Sequence, residues 1–196
     1  HQVHGTDVLT VTDDLLADRP ESAHLGSVAG APNLPVADAI VGTSATCPPG
    51  TALLVRVADC LPVVLVDPER QVVGVAHAGR VGLLAGVLPA TVAAMRAAGA
   101  RRITAWVGPH VCGACYEVPQ QMAEDAWRVL PATRARTAWG TPAIDLGAGA
   151  LAQLGDLGVA AEDIGRCTRT EPDLHSHRRD GAGAGRQVGA VWFGRD

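Results

Sequence analysis

The sequence lacks lysine, has few aromatic residues and contains no long apolar run, and each shortage limits what the chain can be. Only 3% of the residues are aromatic while 47% are hydrophobic, so alanine, valine and leucine must fill the core. No apolar run reaches the roughly 18 residues of a membrane span, and we expect no membrane partner. The formal net charge of −4 disfavours nucleic acid as the main partner.

The cysteines do not form the pattern of a disulfide-rich secreted domain. They are odd in number and widely scattered. They are Cys47, Cys60, Cys112, Cys115 and Cys167. We therefore expect reduced thiols and a cytoplasmic location. The pair Cys112-Gly113-Ala114-Cys115 is a C-x-x-C, typical of a redox centre or half a zinc site. Because there is no second pair and Cys167 is isolated in the sequence, a redox function is disfavoured.

Short strands and helices alternate along the chain, as is typical of one mixed α/β domain over residues 1–196. Runs rich in β-branched residues predict strands at 8–12, 38–42, 52–57, 62–66, 72–76, 103–107, 164–170 and 188–193. Apolar spacing predicts helices at 83–98, 119–130 and 145–157. Pro89 should kink the first helix or delay its start. Residues 13–37 are polar and broken by proline and glycine, which predicts a long loop.

Three short segments each offer one metal-ligating side chain beside an apolar, β-rich stretch. They are Gln2-Val3-His4-Gly5, Ala58-Asp59-Cys60-Leu61-Pro62 and Ala76-His77-Ala78-Gly79. Three ligands of the His/Cys type suit a zinc ion with an open fourth position, whereas a closed structural site normally uses four. If His4, Cys60 and His77 meet in space, the pattern indicates an enzyme.

The polar segment 176–186 is a second candidate for binding. Arg178, Arg179 and Arg186 carry guanidinium groups, whose forked donors suit phosphate or carboxylate oxygens. Its glycines would let the segment fold over a small ligand. A solvated basic loop is the alternative interpretation.

These segments belong to a longer ordered set of motifs. The remaining members are Ala37-Asp38-Ala39-Ile40-Val41, Gly108-Pro109, Tyr116-Glu117-Val118, Ser176-His177-Arg178-Arg179-Asp180-Gly181 and Gly185-Arg186. Their order and spacing resemble the YfiH-like, laccase-domain family from residue 1 to about residue 193. Members of that family are described as polyphenol oxidases and as multifunctional purine nucleoside phosphorylases. The chain begins inside the first motif, so we expect the family's N-terminal segment to be missing.

The resemblance implies an α+β fold, a mixed α/β/β/α sandwich with two central sheets flanked by helices. It implies zinc on His4, Cys60 and His77, phosphorolysis of adenosine, inosine, guanosine and methylthioadenosine, and deamination of adenosine. Older descriptions imply copper-dependent phenol oxidation, and some bacterial members are described as editing peptidoglycan precursors. This sequence departs from the family's pattern at Arg80-Val81, where the family usually has Trp followed by a basic residue.

The residues leave three mechanisms open. In the first, zinc activates water for attack at C6 of adenine. Phosphate or ribose is then contacted by Arg178, Arg179 and Arg186. Asp59 orients a ligating histidine or accepts a proton. Glu117 is a weaker candidate for the same two functions as Asp59. In the second, metal-free mechanism, Cys60 is a nucleophile and His77 its base. The third interpretation is a non-enzymatic module stabilised by metal. Zinc is favoured over copper because the seven histidines are too scattered for multicopper sites.

Overall fold

The computed structural model describes residues 1–13, 15 and 35–194, and its strands form one large and two small sheets. The strands are β1 (Val8–Thr10), β2 (Ala39–Thr43), β3 (Ala52–Val57), β4 (Leu61–Asp67), β5 (Val72–Ala78), β6 (Thr104–Val107), β7 (Arg134–Arg136), β8 (Pro142–Ile144), β9 (Ala160–Asp163) and β10 (Gln187–Trp192). The large sheet has the order β1-β2-β5-β4-β6-β9. Its central pairs are antiparallel, and both edge strands pair in parallel.

The described helices are α1 (Arg80–Ala85), α2 (Val87–Ala97), α3 (Gln120–Val129), α4 (Leu146–Asp156) and the single turn α5 (His177–Asp180). Helices α1, α2 and α4 cover one face of the large sheet, whereas α3 packs on the small sheet of β7 and β8. Helix α2 packs on β2 and β5, and α4 packs on β9. The larger hydrophobic core lies in this layer, where Leu83, Leu88 and Met95 are fully buried. Aliphatic side chains and one methionine fill it, as the scarcity of aromatic residues requires.

The antiparallel pair β3–β10 packs on the opposite face of the large sheet. A second core lies between the two sheets and contains Leu53, Val55 and Val75. The expected mixed α/β fold with one sheet packed on another is therefore confirmed. Val188 and Trp192 on the outer face of β10 remain 53% and 59% exposed. Within the described residues, a helical layer over this outer face is not seen.

Most predicted elements are present, with two informative differences. The helix expected at 83–98 is two helices, since Gly86 adopts a left-handed φ of 98° between α1 and α2. The break leaves Pro89 in the first turn of α2, where proline is tolerated. The strand predicted at 164–170 is wrong, because β9 ends at Asp163. Gly165 has a φ of 73° and donates its N–H to Asp163 Oδ1 at 2.8 Å, so the apolar Ile164 lies in irregular backbone just after β9.

The segment Asp67-Pro68-Glu69-Arg70 turns the chain between β4 and β5 and closes their hairpin. The long loop predicted at 13–37 lies almost entirely outside the described residues. None of the described helices is long and apolar enough to cross a membrane.

Asp67 is a buried carboxylate at the end of β4, and it fixes the loop before β6. Its oxygens accept the backbone N–H groups of Arg70, Arg101 and Arg102 at 3.1, 2.6 and 2.8 Å. Burial alone would raise the pKa of Asp67, but these donors outweigh burial and hold the pKa below its usual value. The stabilisation is therefore complete above the usual pKa and is lost as pH falls through the lower folded value.

We expect Asp67→Asn to lower the free energy of unfolding by about 2 kcal/mol at neutral pH, because an amide nitrogen cannot accept these hydrogen bonds. Urea denaturation at neutral pH and again in acid checks this result. The difference between variant and wild type should shrink in acid. A constant difference at all pH values would contradict the assignment to the ionised carboxylate.

Candidate functional site

The structure brings His4, Cys60 and His77 together at one end of the large sheet. Cys60 stands between β3 and β4, His77 lies in β5, and His4 precedes β1. Their ligand atoms all lie within 4.8 Å of one another. Cys60 Sγ is 3.8 Å from His4 Nε2, and the rings of His4 and His77 meet edge to face at 4.6 Å. The β4–β5 hairpin places Pro62 opposite His77, which brings Cys60 to the same end of the hairpin.

Asp38 organises this cluster and is the functional residue that the sequence analysis missed. It is fully buried, and its Oδ1 lies 2.8 Å from Nδ1 of His77. The same carboxylate accepts the backbone N–H groups of Val3, His4 and Gly5 at 3.2, 3.0 and 2.6 Å. One side chain therefore orients His77, leaves its Nε2 for a ligand, and ties the His4 segment to β2.

Two residues at the cluster have a strained, left-handed backbone conformation. His4 and Asp59 have φ angles of 63° and 78°, a region that residues other than glycine rarely adopt. Such strain persists only where surrounding contacts hold it. At His4 the Asp38 carboxylate supplies those contacts, and at Asp59 the carbonyl oxygen accepts the N–H of Val111 at 3.0 Å.

The segment after β5 approaches the cluster closely. A Cβ atom on Gly79 would lie 2.6 Å from His4 Cδ2 and 3.0 Å from Cys60 Sγ. A Cβ atom on Gly82 in α1 would lie 2.8 Å from the carbonyl oxygen of Gly5. Both positions therefore require glycine for the chain to pack against the cluster.

Burial determines the protonation states of Cys60 and His77. It raises the pKa of the Cys60 thiol to about 11, and the charges of Asp59 and Asp38 act in the same direction. Burial also lowers the pKa of His77, against the opposing effect of its hydrogen bond to Asp38. His77 is therefore a neutral imidazole at pH 7, the form in which histidine binds metals. Because reactive cysteines have lowered pKa values, a protonated Cys60 disfavours the metal-free mechanism in which this thiol is the nucleophile.

Asp59 holds the loop that carries the arginines rather than a ligating histidine. Its Oδ1 accepts the hydroxyl of Thr168 at 2.6 Å, and its Oδ2 accepts the backbone N–H of Arg178 at 2.6 Å. The carboxylate that orients a ligating histidine is Asp38, because it lies directly beside β5 whereas Asp59 faces α5. Glu117 receives the indole N–H of Trp139 at 3.2 Å and does not line the cavity described below.

The three arginines of the polar segment have different environments. Arg178 donates from Nη1 to the carbonyl of Glu117 at 2.9 Å, and its guanidinium lies 5.1 Å from the centre of the Tyr116 ring. Arg186 donates from Nη1 to its own loop, to the carbonyls of Ala184 and Gly185.

Arg179 instead serves the structure of its loop. Its guanidinium donates to the carbonyls of Thr168, Glu171 and Leu174 and to the carboxylate of Asp180. It does not line the cavity, whereas Arg178 and Arg186 do. The part of the sequence prediction that gave Arg179 a ligand contact therefore has no support in the geometry.

A cavity of about 670 Å³ opens over the metal-ligating cluster. That volume falls in the range of small-molecule sites. Its wall adds five polar or aromatic side chains that the sequence analysis did not assign: His1, Gln2, Arg56, Tyr116 and His177. Gln2, Tyr116 and His177 lie inside the family's motifs, so those motifs contained a signal for them. Arg80 and Val81, where the family resemblance departs, do not line the cavity.

Residues 1–194 match the family model described as multi-copper polyphenol oxidoreductase laccase. A Streptomyces coelicolor protein named purine nucleoside phosphorylase SCO2081 is 47% identical over 98% of this chain and 73% of its own length. A Mycobacterium tuberculosis protein named purine nucleoside phosphorylase Rv2149c is 40% identical over 98% of this chain and 70% of its own length.

Solved structures give the same grouping. The crystal structure of Bacillus licheniformis YfiH superposes with a TM-score of 0.80 at 28% identity, over 96% of this chain and 71% of that one. The Neisseria meningitidis protein NMB0706 superposes with a TM-score of 0.77 at 30% identity, over 99% and 73%. The expected YfiH-like fold is thereby confirmed.

Proposed function

Because the chain belongs to the multi-copper polyphenol oxidoreductase laccase family of enzymes, we propose that it is a zinc-dependent purine nucleoside phosphorylase that also deaminates adenosine. The observation that carries the proposal is the cluster of His4, Cys60 and His77 in a cavity whose wall holds Arg178 and Arg186. Adenosine, inosine, guanosine and methylthioadenosine are the proposed substrates. The relatives named purine nucleoside phosphorylase support the reaction class.

The donor set fits zinc. Two imidazoles and one thiolate are ligands that zinc accepts, and three protein ligands leave one position open. Ordinary Zn–S and Zn–N bond lengths separate the two donors of a tetrahedral site by about 3.6 Å. Cys60 Sγ and His4 Nε2 lie 3.8 Å apart. Copper is the alternative ion. When bound, zinc would supply a Lewis acid at the floor of the cavity.

The chain's own residues would bind and orient the two substrates of phosphorolysis. We assign Arg178 and Arg186 to phosphate or ribose oxygens, since a guanidinium offers paired donors with a permanent positive charge. Asp59 acts as a positioning residue, because it holds the backbone of Arg178 from which that side chain reaches the cavity. Tyr116 presents its ring to the same space and lies beneath the Arg178 guanidinium.

Incubation of the protein with adenosine, with and without inorganic phosphate, tests the reaction class. Adenine and ribose 1-phosphate should form only when phosphate is present, and inosine should form without it. Arg178→Gln should raise the KM for phosphate about tenfold, because one charged hydrogen-bond donor is lost. Chromatography of the products and initial rates at varied phosphate measure both effects.

Arg128→Gln is the matched control, since Arg128 lies on α3 and pairs with Asp125 at 3.0 Å, outside the cavity. Its KM for phosphate should equal that of the wild type. Absence of turnover of any nucleoside would refute the proposed function and favour hydrolysis of cell-wall precursors.

A Cys–His hydrolase that edits peptidoglycan precursors is the second candidate, and the contact between Cys60 and His4 favours it. In that mechanism the thiol contacts Nε2 of His4, and His77, whose Nδ1 is bonded to Asp38, keeps its Nε2 free for its predicted function as the base. Metal analysis of protein purified without a nickel column distinguishes the candidates. Metal-free protein that alkylates selectively at Cys60 supports the hydrolase.

A further inference from the structure

Three thiols outside the cavity converge at one edge of the large sheet. Cys112 and Cys115 lie in the segment after β6, and Cys167 lies in the segment after β9. Because β6 and β9 are parallel neighbours, the segments that follow them leave the sheet at the same edge. The three sulfur atoms lie within 4.8 Å of one another. Cys167, which is isolated in the sequence, therefore has two cysteine neighbours in space.

We infer that Cys112, Cys115 and Cys167 form a second metal site, one that binds zinc through three thiolates. Zinc–sulfur bonds of ordinary length separate two thiolates of a tetrahedral site by about 3.8 Å, a spacing within the limit observed here. Three soft sulfur donors select a thiophilic ion of this kind. The inference does not depend on the proposed catalytic activity.

The surroundings of the thiols suit bound thiolates. Cys115 is buried, while Cys112 and Cys167 are partly accessible, so the site has both a dry wall and an entry path. The backbone N–H of Cys112 donates to Cys167 Sγ at 3.5 Å, a contact that fixes the sulfur and favours its anionic form. Arg169 donates to the carbonyl of Cys115 at 2.8 Å, so a cationic side chain lies beside the excess negative charge of three thiolates on a divalent ion.

Three protein ligands leave the fourth position of such an ion open, but the position of the triad would still let the ion join two segments of the chain. Cys112 follows Val111, whose N–H holds the Asp59 carbonyl, and Cys167 precedes Thr168, whose hydroxyl holds the Asp59 carboxylate. An ion bound by the triad would fasten these two segments to each other. It would thereby fix the loop from which Asp59 holds Arg178.

Zinc content measured by plasma mass spectrometry on tag-free protein tests the site. After saturation with zinc and gel filtration, Cys167→Ser should lose about one equivalent per chain relative to wild type. Cys60→Ser should also lose one equivalent, from the other cluster, and the double variant should lose both. Cys47→Ser is the matched control, because Cys47 is a buried thiol outside either cluster, and it should lose none.

Thiol protection provides a second measurement on the unmodified chain, which covers the case that a serine variant fails to fold. In the zinc-loaded protein the three thiols of the triad should resist alkylation, and a chelator should expose them. Equal zinc content in wild type and folded Cys167→Ser would overturn the inference. So would a disulfide between two of the three cysteines in the freshly purified protein, or alkylation of the triad at the same rate before and after chelation.

Discussion

His77→Ala should remove one zinc equivalent per chain and reduce phosphorolysis by about three orders of magnitude. His77 supplies one of three ligands, and the two that remain, His4 and Cys60, leave the ion too weakly held to act at neutral pH. A loss of this size matches the removal of a principal stabilising group from an active site. Metal analysis and initial rates with inosine and phosphate measure the two effects together.

His175→Ala is the control for this experiment, because His175 is exposed and does not line the cavity. Its metal content and rate should match the wild type. Retention of metal and activity by a folded His77→Ala protein would contradict the assignment of the site.

Asp38→Asn should weaken zinc binding by about 10- to 100-fold, the usual effect of removing the acceptor that orients a ligating histidine. The free energy of unfolding of the variant should also fall by about 2–4 kcal/mol. The reason is that a buried carboxylate that accepts four hydrogen bonds becomes an amide with one acceptor oxygen. Competition with a chromophoric chelator gives the affinity, and urea denaturation of the metal-free protein gives the stability.

Asp67→Asn is the matched control for Asp38→Asn, because Asp67 is also a buried carboxylate that accepts backbone N–H groups. It lies at the opposite end of β4 from Cys60. It should lose stability and keep its zinc affinity. If both variants bind zinc as tightly as the wild type, Asp38 stabilises the fold but does not contribute to zinc binding.

The strands were predictable where residues alternate or form short apolar runs, as in β3, β4 and β5. Failures came where backbone conformation overrides composition. Gly86 divides a continuous apolar helix pattern because its left-handed conformation ends one helix and begins another. Gly165, with a left-handed φ, follows β9 directly, so the strand predicted from Ile164 onward does not form. In both cases a glycine conformation, invisible in the order of hydrophobic residues, decided the boundary.

The metal-ligating cluster was partly predictable, because His4, Cys60 and His77 each stand beside an apolar strand. The role of Asp38 was not, since an aspartate at the start of a strand is usually a solvated cap. Only the pairing of β2 with β5 places it against His77. Cys167 is a similar case, because its neighbours Cys112 and Cys115 lie more than fifty residues away and meet it through the parallel pairing of β6 with β9.

The β4–β5 hairpin also orders the assembly of the cluster during folding. Cys60 and His77 come together through a short turn, whereas Asp38 bonds to His77 across 39 residues and to the His4 segment across 34. Short loops close at lower entropic cost than long ones. We therefore expect the hairpin to present two ligands first and His4 to arrive last, so that detachment of the first few residues would release an ion while the large sheet stays folded.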